Sequence, residues 1–126
     1  MSDPNIRNFQ VHARSTDVFG RVLCGCRDQH FVIDGPVQNG CPGEAVTPVE
    51  SFLAGVAACG VELLQVIARE RDLPLRSVRV EIAGTIDRGR PARADFSVFN
   101  SVRLDLRLAG VGREEAEGLI AAFRVR

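Results

Sequence analysis

Cys59 has the most chemistry to offer in this chain. It lies near the middle of Thr47–Asp72, TPVESFLAGVAACGVELLQVIARERD, the longest unbroken pattern in the sequence. A thiolate is a strong nucleophile, and once oxidised to a sulfenic acid it condenses readily with a second thiol. A cysteine set among Ala57, Ala58 and Gly60 can equally be a small hydrophobe that only packs. The helix dipole fades within the first turn, so a reactive Cys59 needs a cation from elsewhere. Cys24-Gly25-Cys26, His30 and Cys41 are the other candidate cluster, since Cys and His are the usual zinc ligands. Their spacing is not that of paired CxxC knuckles, and strand alternation puts Cys24 and Cys26 on one face, so no metal is expected. No glycine-rich phosphate loop follows a strand, and GxSxG and HExxH motifs do not occur. No cofactor is expected either.

The element that must carry Cys59 is a helix over Thr47–Asp72. Thr47 is a good N-cap, Pro48 suits the first helical position, and Glu50 completes a capping box. Arg69 to Asp72 followed by Pro74 mark the far end. Such a helix is roughly 37 Å long. Ser51 to Val61 carries no charge and is apolar around most of its circumference, so this half is expected to be buried on nearly all sides. Its eleven uncharged residues are too few to span a bilayer. A chain of 126 residues has little core to cover so apolar a helix, which predicts a two-fold dimer.

The flanking segments read as strands. Residues 6–14 alternate Phe9, Val11 and Ala13 against Gln10, His12 and Arg14, placing His12 on a solvated face. Val18–Cys26 and Gln29–Asp34 continue an antiparallel meander, with Gly20 and Arg27-Asp28 near its turns. Gly35–Val46 is an irregular Gly/Pro-rich loop, either a plain connector or a cover for the cavity beside Cys59. Ser77–Ile86 and Val102–Leu108 alternate cleanly as strands. Between them Asp87–Asp95, with Arg88, Arg90 and Arg93, is a polar, mobile, solvated turn. Arg113–Phe123 is a short helix with Ala116, Leu119, Ile120 and Phe123 on one face. Strands grouped on either side of a long helix indicate α+β with antiparallel sheet.

Sixteen basic residues, all arginine, balance sixteen acidic ones. That balance gives no electrostatic reason to bind nucleic acid or an anionic membrane, and without Trp or Tyr there is little for bases to stack on. The opening MSDPNIRNF lacks the basic and apolar regions of a signal peptide, which predicts a cytoplasmic protein with mostly reduced, metal-bound or redox-active cysteines.

The run His30-Phe31-Val32-Ile33-Asp34-Gly35-Pro36, the glycine-bearing loop, and Thr47-Pro48-Val49-Glu50-Ser51-Phe52-Leu53-Ala54-Gly55-Val56-Ala57-Ala58-Cys59 resemble the osmotically inducible protein C and organic hydroperoxide resistance (OsmC/Ohr) family. The likeness continues through Leu73-Pro74-Leu75 and the Val78 strand to Gly110-Val111 and the last helix, as a single domain over 1–126. The resemblance implies an intertwined α+β homodimer acting in oxidative-stress defence. In it a helix cysteine attacks the O–O bond of an organic hydroperoxide, and the sulfenic acid is captured by a second cysteine and reduced by a dithiol. Cys59 matches the attacking position. Arg27 is the nearest counterpart of the family's activating arginine, with Arg21 as second choice; Arg27 can also be read as a turn ion pair with Asp28. Phe52, Leu53, Val56 and Leu63 would wall an alkyl peroxide site or belong to the core. The chain departs from the family at Val49, where a glutamate is expected, and nothing matches the second cysteine by Arg126. Resolution then falls to residues beyond this sequence, to Cys24, Cys26 or Cys41, or to an external thiol. The alternative reading is a noncatalytic dimer of the same fold that binds a small apolar or thiol ligand.

Overall fold

Three short strands open the fold, β1 (His12–Ser15), β2 (Arg21–Cys26) and β3 (Gln29–Asp34), paired antiparallel in that order. The computed structural model describes residues 3–95 and 99–125, in two compact units that divide between Ser51 and Phe52. β3 has the predicted bounds. β2 starts later than expected because Val18 to Gly20 form the turn: Gly20 takes φ +81°, and the Arg21 N–H bonds the Val18 carbonyl at 3.0 Å. The strand expected over residues 6–14 begins only at His12. Among the described residues its apolar side chains stay uncovered, Phe9 and Val11 being 88% and 60% exposed.

The β2–β3 register sets Arg21 opposite Asp34, and side chains paired in this way share a face. Asp34 has no exposed surface. Arg21 donates to it through Nε at 2.8 Å and Nη2 at 2.9 Å, in the two-pronged geometry that guanidinium suits best. Asp34 Oδ2 also accepts the backbone N–H groups of Glu44 (3.0 Å) and Ala45 (2.9 Å), and the Asp34 N–H bonds the Val46 carbonyl at 3.1 Å. One side chain thus closes the base of the 35–46 loop. That loop contains a single short 3-10 turn at Val37–Asn39.

The long helix α1 runs Pro48–Glu70. Its predicted capping box is present: the Glu50 N–H bonds Thr47 Oγ1 at 3.4 Å, and Glu50 Oε1 accepts the Thr47 N–H at 3.0 Å. The Thr47 N–H and hydroxyl hold the Glu50 carboxyl below its ordinary range. The helix stops at Glu70 rather than Asp72 because Asp72 turns left-handed, φ 53°. The Leu73 N–H then reaches the Ala68 carbonyl and the Asp72 N–H the Arg69 carbonyl, a Schellman closure.

In the second unit β4 (Ser77–Thr85) and β5 (Ser101–Ala109) form a two-stranded antiparallel sheet, followed by α2 (Arg113–Arg124). The half-buried rows Val78/Leu108, Val80/Leu106 and Ile82/Leu104 make its apolar face. Leu64, Ile67 and Ala68 of α1 and Leu119 of α2 form the core, with Val78, Leu106, Leu108 and Phe123 packed against it. Gly60 admits Phe123 closely, since a Cβ there would stand 3.5 Å from its ring. After β4, Asp87 and Arg90 are bonded to Asn100. Asn100 accepts the Asp87 N–H at 2.7 Å and donates to the Arg90 carbonyl at 2.6 Å.

The expected burial of Ser51–Val61 fails within this chain. The fully buried residues of α1 begin only at Gly60; before it Leu53 reaches the sheet at Gly84, while Phe52 is 59% exposed and Ala54, Gly55, Ala58 and Cys59 are exposed too. The apolar circumference was read correctly, but the single chain supplies partners on one side only.

Hydrogen bonds from Arg21, aided by the Ala45 and Glu44 N–H groups, hold the Asp34 carboxyl well below the ordinary aspartate range. A depressed carboxyl adds stability above its unfolded pKa and loses it as pH falls toward the folded one. Asp34→Asn is therefore expected to lower Tm at about pH 7, with the gap to wild type narrowing as pH drops below about 4; paired thermal melts across that range check this.

Candidate functional site

Cys59 sits on α1 one residue before Gly60, where the helix begins to be buried. Residues three and four apart are neighbours on a helix, so its surroundings are Gly55, Val56, Glu62 and Leu63. The thiol is exposed, contrary to the expected buried or half-buried position. The reason is the same one-sided packing that leaves the first half of α1 open.

The predicted apolar wall divides by helix geometry. Phe52, Val56, Cys59 and Leu63 follow the spacing of one face. Leu53 points to the sheet, where a Cβ built on Gly84 would meet its Cδ2 at 3.3 Å. Phe99, which the sequence reading missed, joins this wall: its ring lies over Gly84 and stacks on Phe52 with centroids 5.7 Å apart and planes at 24°. Stacked rings at such separations are favourable beyond the area they bury. An open hollow of about 800 Å³ starts one turn beyond the thiol, lined by Glu62, Gln65, Val66, Arg69, Asp72 and the Leu73–Leu75 stretch. Cys59 is not among its walls.

The two candidate arginines differ sharply. Arg27 occupies the β2–β3 turn, is exposed, and adopts φ 53°, a left-handed conformation that a non-glycine residue reaches at a cost. Among the described residues it makes no ion pair, so the expected pairing with Asp28 does not form. Arg21 is the arginine held by carboxylates, bonded to Asp34 and, through Nη2 at 3.1 Å, to Glu44. These hydrogen bonds push its already high pKa further up.

The zinc reading loses its geometry. Register places His30 beside Gly25 on one face of the sheet, while Cys24 and Cys26 occupy the other. Among the described residues no group of three or more His, Cys, Asp and Glu side chains is arranged to hold a metal. Cys41 lies instead against the backbone at Gly20 and Gly35, leaving no room for a Cβ at either.

The profile of the OsmC-like protein family matches residues 41–124. The chain belongs to the OsmC-like family. Solved structures share the fold of this OsmC-like chain. An OsmC-like protein from Mycoplasma pneumoniae is 13% identical with a TM-score of 0.81, the alignment covering 95% of this chain and 82% of that one. An organic hydroperoxide resistance protein from Legionella pneumophila is 22% identical, TM-score 0.71, covering 94% and 82%. The organic hydroperoxide resistance protein OhrB of Bacillus subtilis is 24% identical, TM-score 0.64, covering 93% and 83%. No curated protein sequence matches the OsmC-like chain. Length and composition alone would let α1 cross a membrane. These neighbours place it instead in an OsmC-type fold.

Arg27→Gly is expected to relieve the left-handed turn and stabilise the protein by about 0.5 kcal/mol, the gain in conformation being partly offset by glycine's unfolded-state freedom. A Tm rise of roughly 1–3 °C in a thermal melt would show it.

Proposed function

We propose that this OsmC-like protein is a thiol-dependent peroxidase that reduces organic hydroperoxides in oxidative-stress defence. Cys59 is the nucleophile and Arg27 its activating cation. The observation that carries the reading is the exposed thiol, set in an apolar stretch of a family whose structural neighbours bear the name organic hydroperoxide resistance protein. The thiolate attacks one peroxide oxygen, an S–O bond forms as the O–O bond breaks, and the alcohol leaves with the proton. The sulfenic acid then condenses with a second thiol, releasing water, and a dithiol reduces the resulting disulfide. Arg27 supports its role by carrying a fixed charge unspent on any ion pair among the described residues. Phe52, Leu53, Val56 and Leu63, with Phe99, supply the apolar surface an alkyl or aryl peroxide requires.

The working form in this proposal is a cytoplasmic homodimer. Phe52, Val49 and the small residues Gly55 and Ala58 leave the first half of α1 uncovered, and a second copy of the chain would bury them.

One observation favours a second reading, a noncatalytic dimer binding a small apolar or thiol ligand. Glu62, one turn from Cys59, is the charged neighbour that the helix supplies, and it is not the cation a reactive thiol needs.

Stopped-flow loss of cumene or tert-butyl hydroperoxide separates the two. The wild type is expected to react at least about a hundredfold faster than Cys59→Ser, and Arg27→Gly to react about tenfold slower than wild type while melting higher. Equal slow rates for wild type and Cys59→Ser would discard the peroxidase and leave the binding protein.

A further inference from the structure

The chain has only two histidines, eighteen residues apart in sequence, and the meander brings both into one row. His12 of β1 pairs with Gly25 of β2, and Gly25 pairs with His30 of β3. Directly paired residues project from the same face, so the two imidazoles flank a glycine on one exposed surface. The glycine is what lets them approach. A Cβ built at Gly25 would stand 2.5 Å from His12 Nε2 and 2.7 Å from Cε1, so the His12 ring already lies across the middle strand with Nε2 over the glycine. Two strand spacings, about 10 Å, separate the outer backbones, and the first imidazole has crossed to the centre of that gap. His30 rises from the adjoining strand, exposed, and its imidazole stands in no side-chain ion pair among the described residues.

We propose that His12 and His30 form a two-histidine site for a divalent transition ion of the kind imidazole prefers, nickel, copper or zinc. Metal–nitrogen bonds of about 2.1 Å require ligand nitrogens roughly 3 Å apart, which a turn of the exposed His30 side chain toward His12 Nε2 provides. Water or a small ligand completes the coordination. Leu23 and Val32 form the next row on this face with Arg14, so that row adds no carboxylate ligand. Asp34 shares the face but is engaged by Arg21. The site lies opposite Cys24 and Cys26 and does not depend on thiol chemistry.

Titration calorimetry of tag-free full chain with Ni²⁺, after alkylation of accessible thiols, tests it. Wild type is expected to bind one ion per chain. His12→Gln, His30→Gln and Gly25→Ala are each expected to weaken binding at least about tenfold. Gly25→Ala is the sharpest arm, because it keeps both histidines and only removes the space His12 uses; Gly25 is not in a left-handed conformation, so alanine fits its backbone. Circular dichroism confirms that each variant folds. No binding by wild type, or a loss smaller than tenfold in any folded variant, overturns the site.

Discussion

A carboxylate with no contact to solvent must be answered by charge and hydrogen bonds, or it would take up a proton or leave the interior. Asp34 is answered four times. Two contacts come from Arg21 and two from the Glu44 and Ala45 backbone. The consequence is organisation more than net energy, since an apolar pair of the same shape could stabilise the chain as well. It fixes the β2–β3 register at its last rung and returns the loop beyond Gly35 to the strand it left. The helix start then follows at a defined point, two residues after Ala45. Cap, loop and strand end in the first unit all lie within one or two residues of an atom bonded to Asp34 or its partners.

The second unit is governed by a different constraint, the lopsided demand of α1. Leu64, Ile67 and Ala68 find the β4–β5 sheet and α2, and the Schellman closure turns Leu73 back onto the same core. Phe52 stacks on Phe99 and stays mostly exposed. A helix with strong partners at one end and few at the other keeps its fold while leaving small residues in the open. Gly55 would cost an isolated helix stability while Ala58 would not, and a Cβ built at Gly55 meets nothing within 4 Å among the described residues.

Much of this was legible because it is local. The Thr47–Glu50 box, Pro48 and the proline after the helix depend on neighbours within one turn, and they set α1 to within two residues. Strict alternation in Val78–Ile82 and Val102–Leu108 carried β4 and β5 in the same way. The same rule misread Phe9 and Val11, because alternation describes a face without saying that anything lies beneath it. Asp34, Asn100 and Phe99 were missed for one shared reason: each acts through partners ten or more residues away, or through a backbone atom that composition does not record. The row of His12, Gly25 and His30 is of this kind as well. It exists only once the register is known, and a shift of one residue would send the three to different faces.

The electrostatics of Cys59 turn on what the helix itself withholds. Around the thiol the helix offers Gly55, Val56 and Leu63, which are neutral, and Glu62, which is negative. The helix therefore supplies no cation of its own around the thiol, and an activating charge has to come from elsewhere in the protein. Every basic residue in this chain is arginine, and a guanidinium does not give up its proton when it is desolvated beside a thiol, as an ammonium can. Of the two meander arginines, Arg21 spends its donors on Asp34 and Glu44, and moving it would strand a buried carboxylate. Arg27 carries the opposite profile: an uncommitted charge at the tip of a two-residue turn, held in a conformation that glycine would adopt more cheaply. The positive φ at Arg27 is what the first position of a two-residue hairpin turn asks for, and glycine would supply it at lower cost.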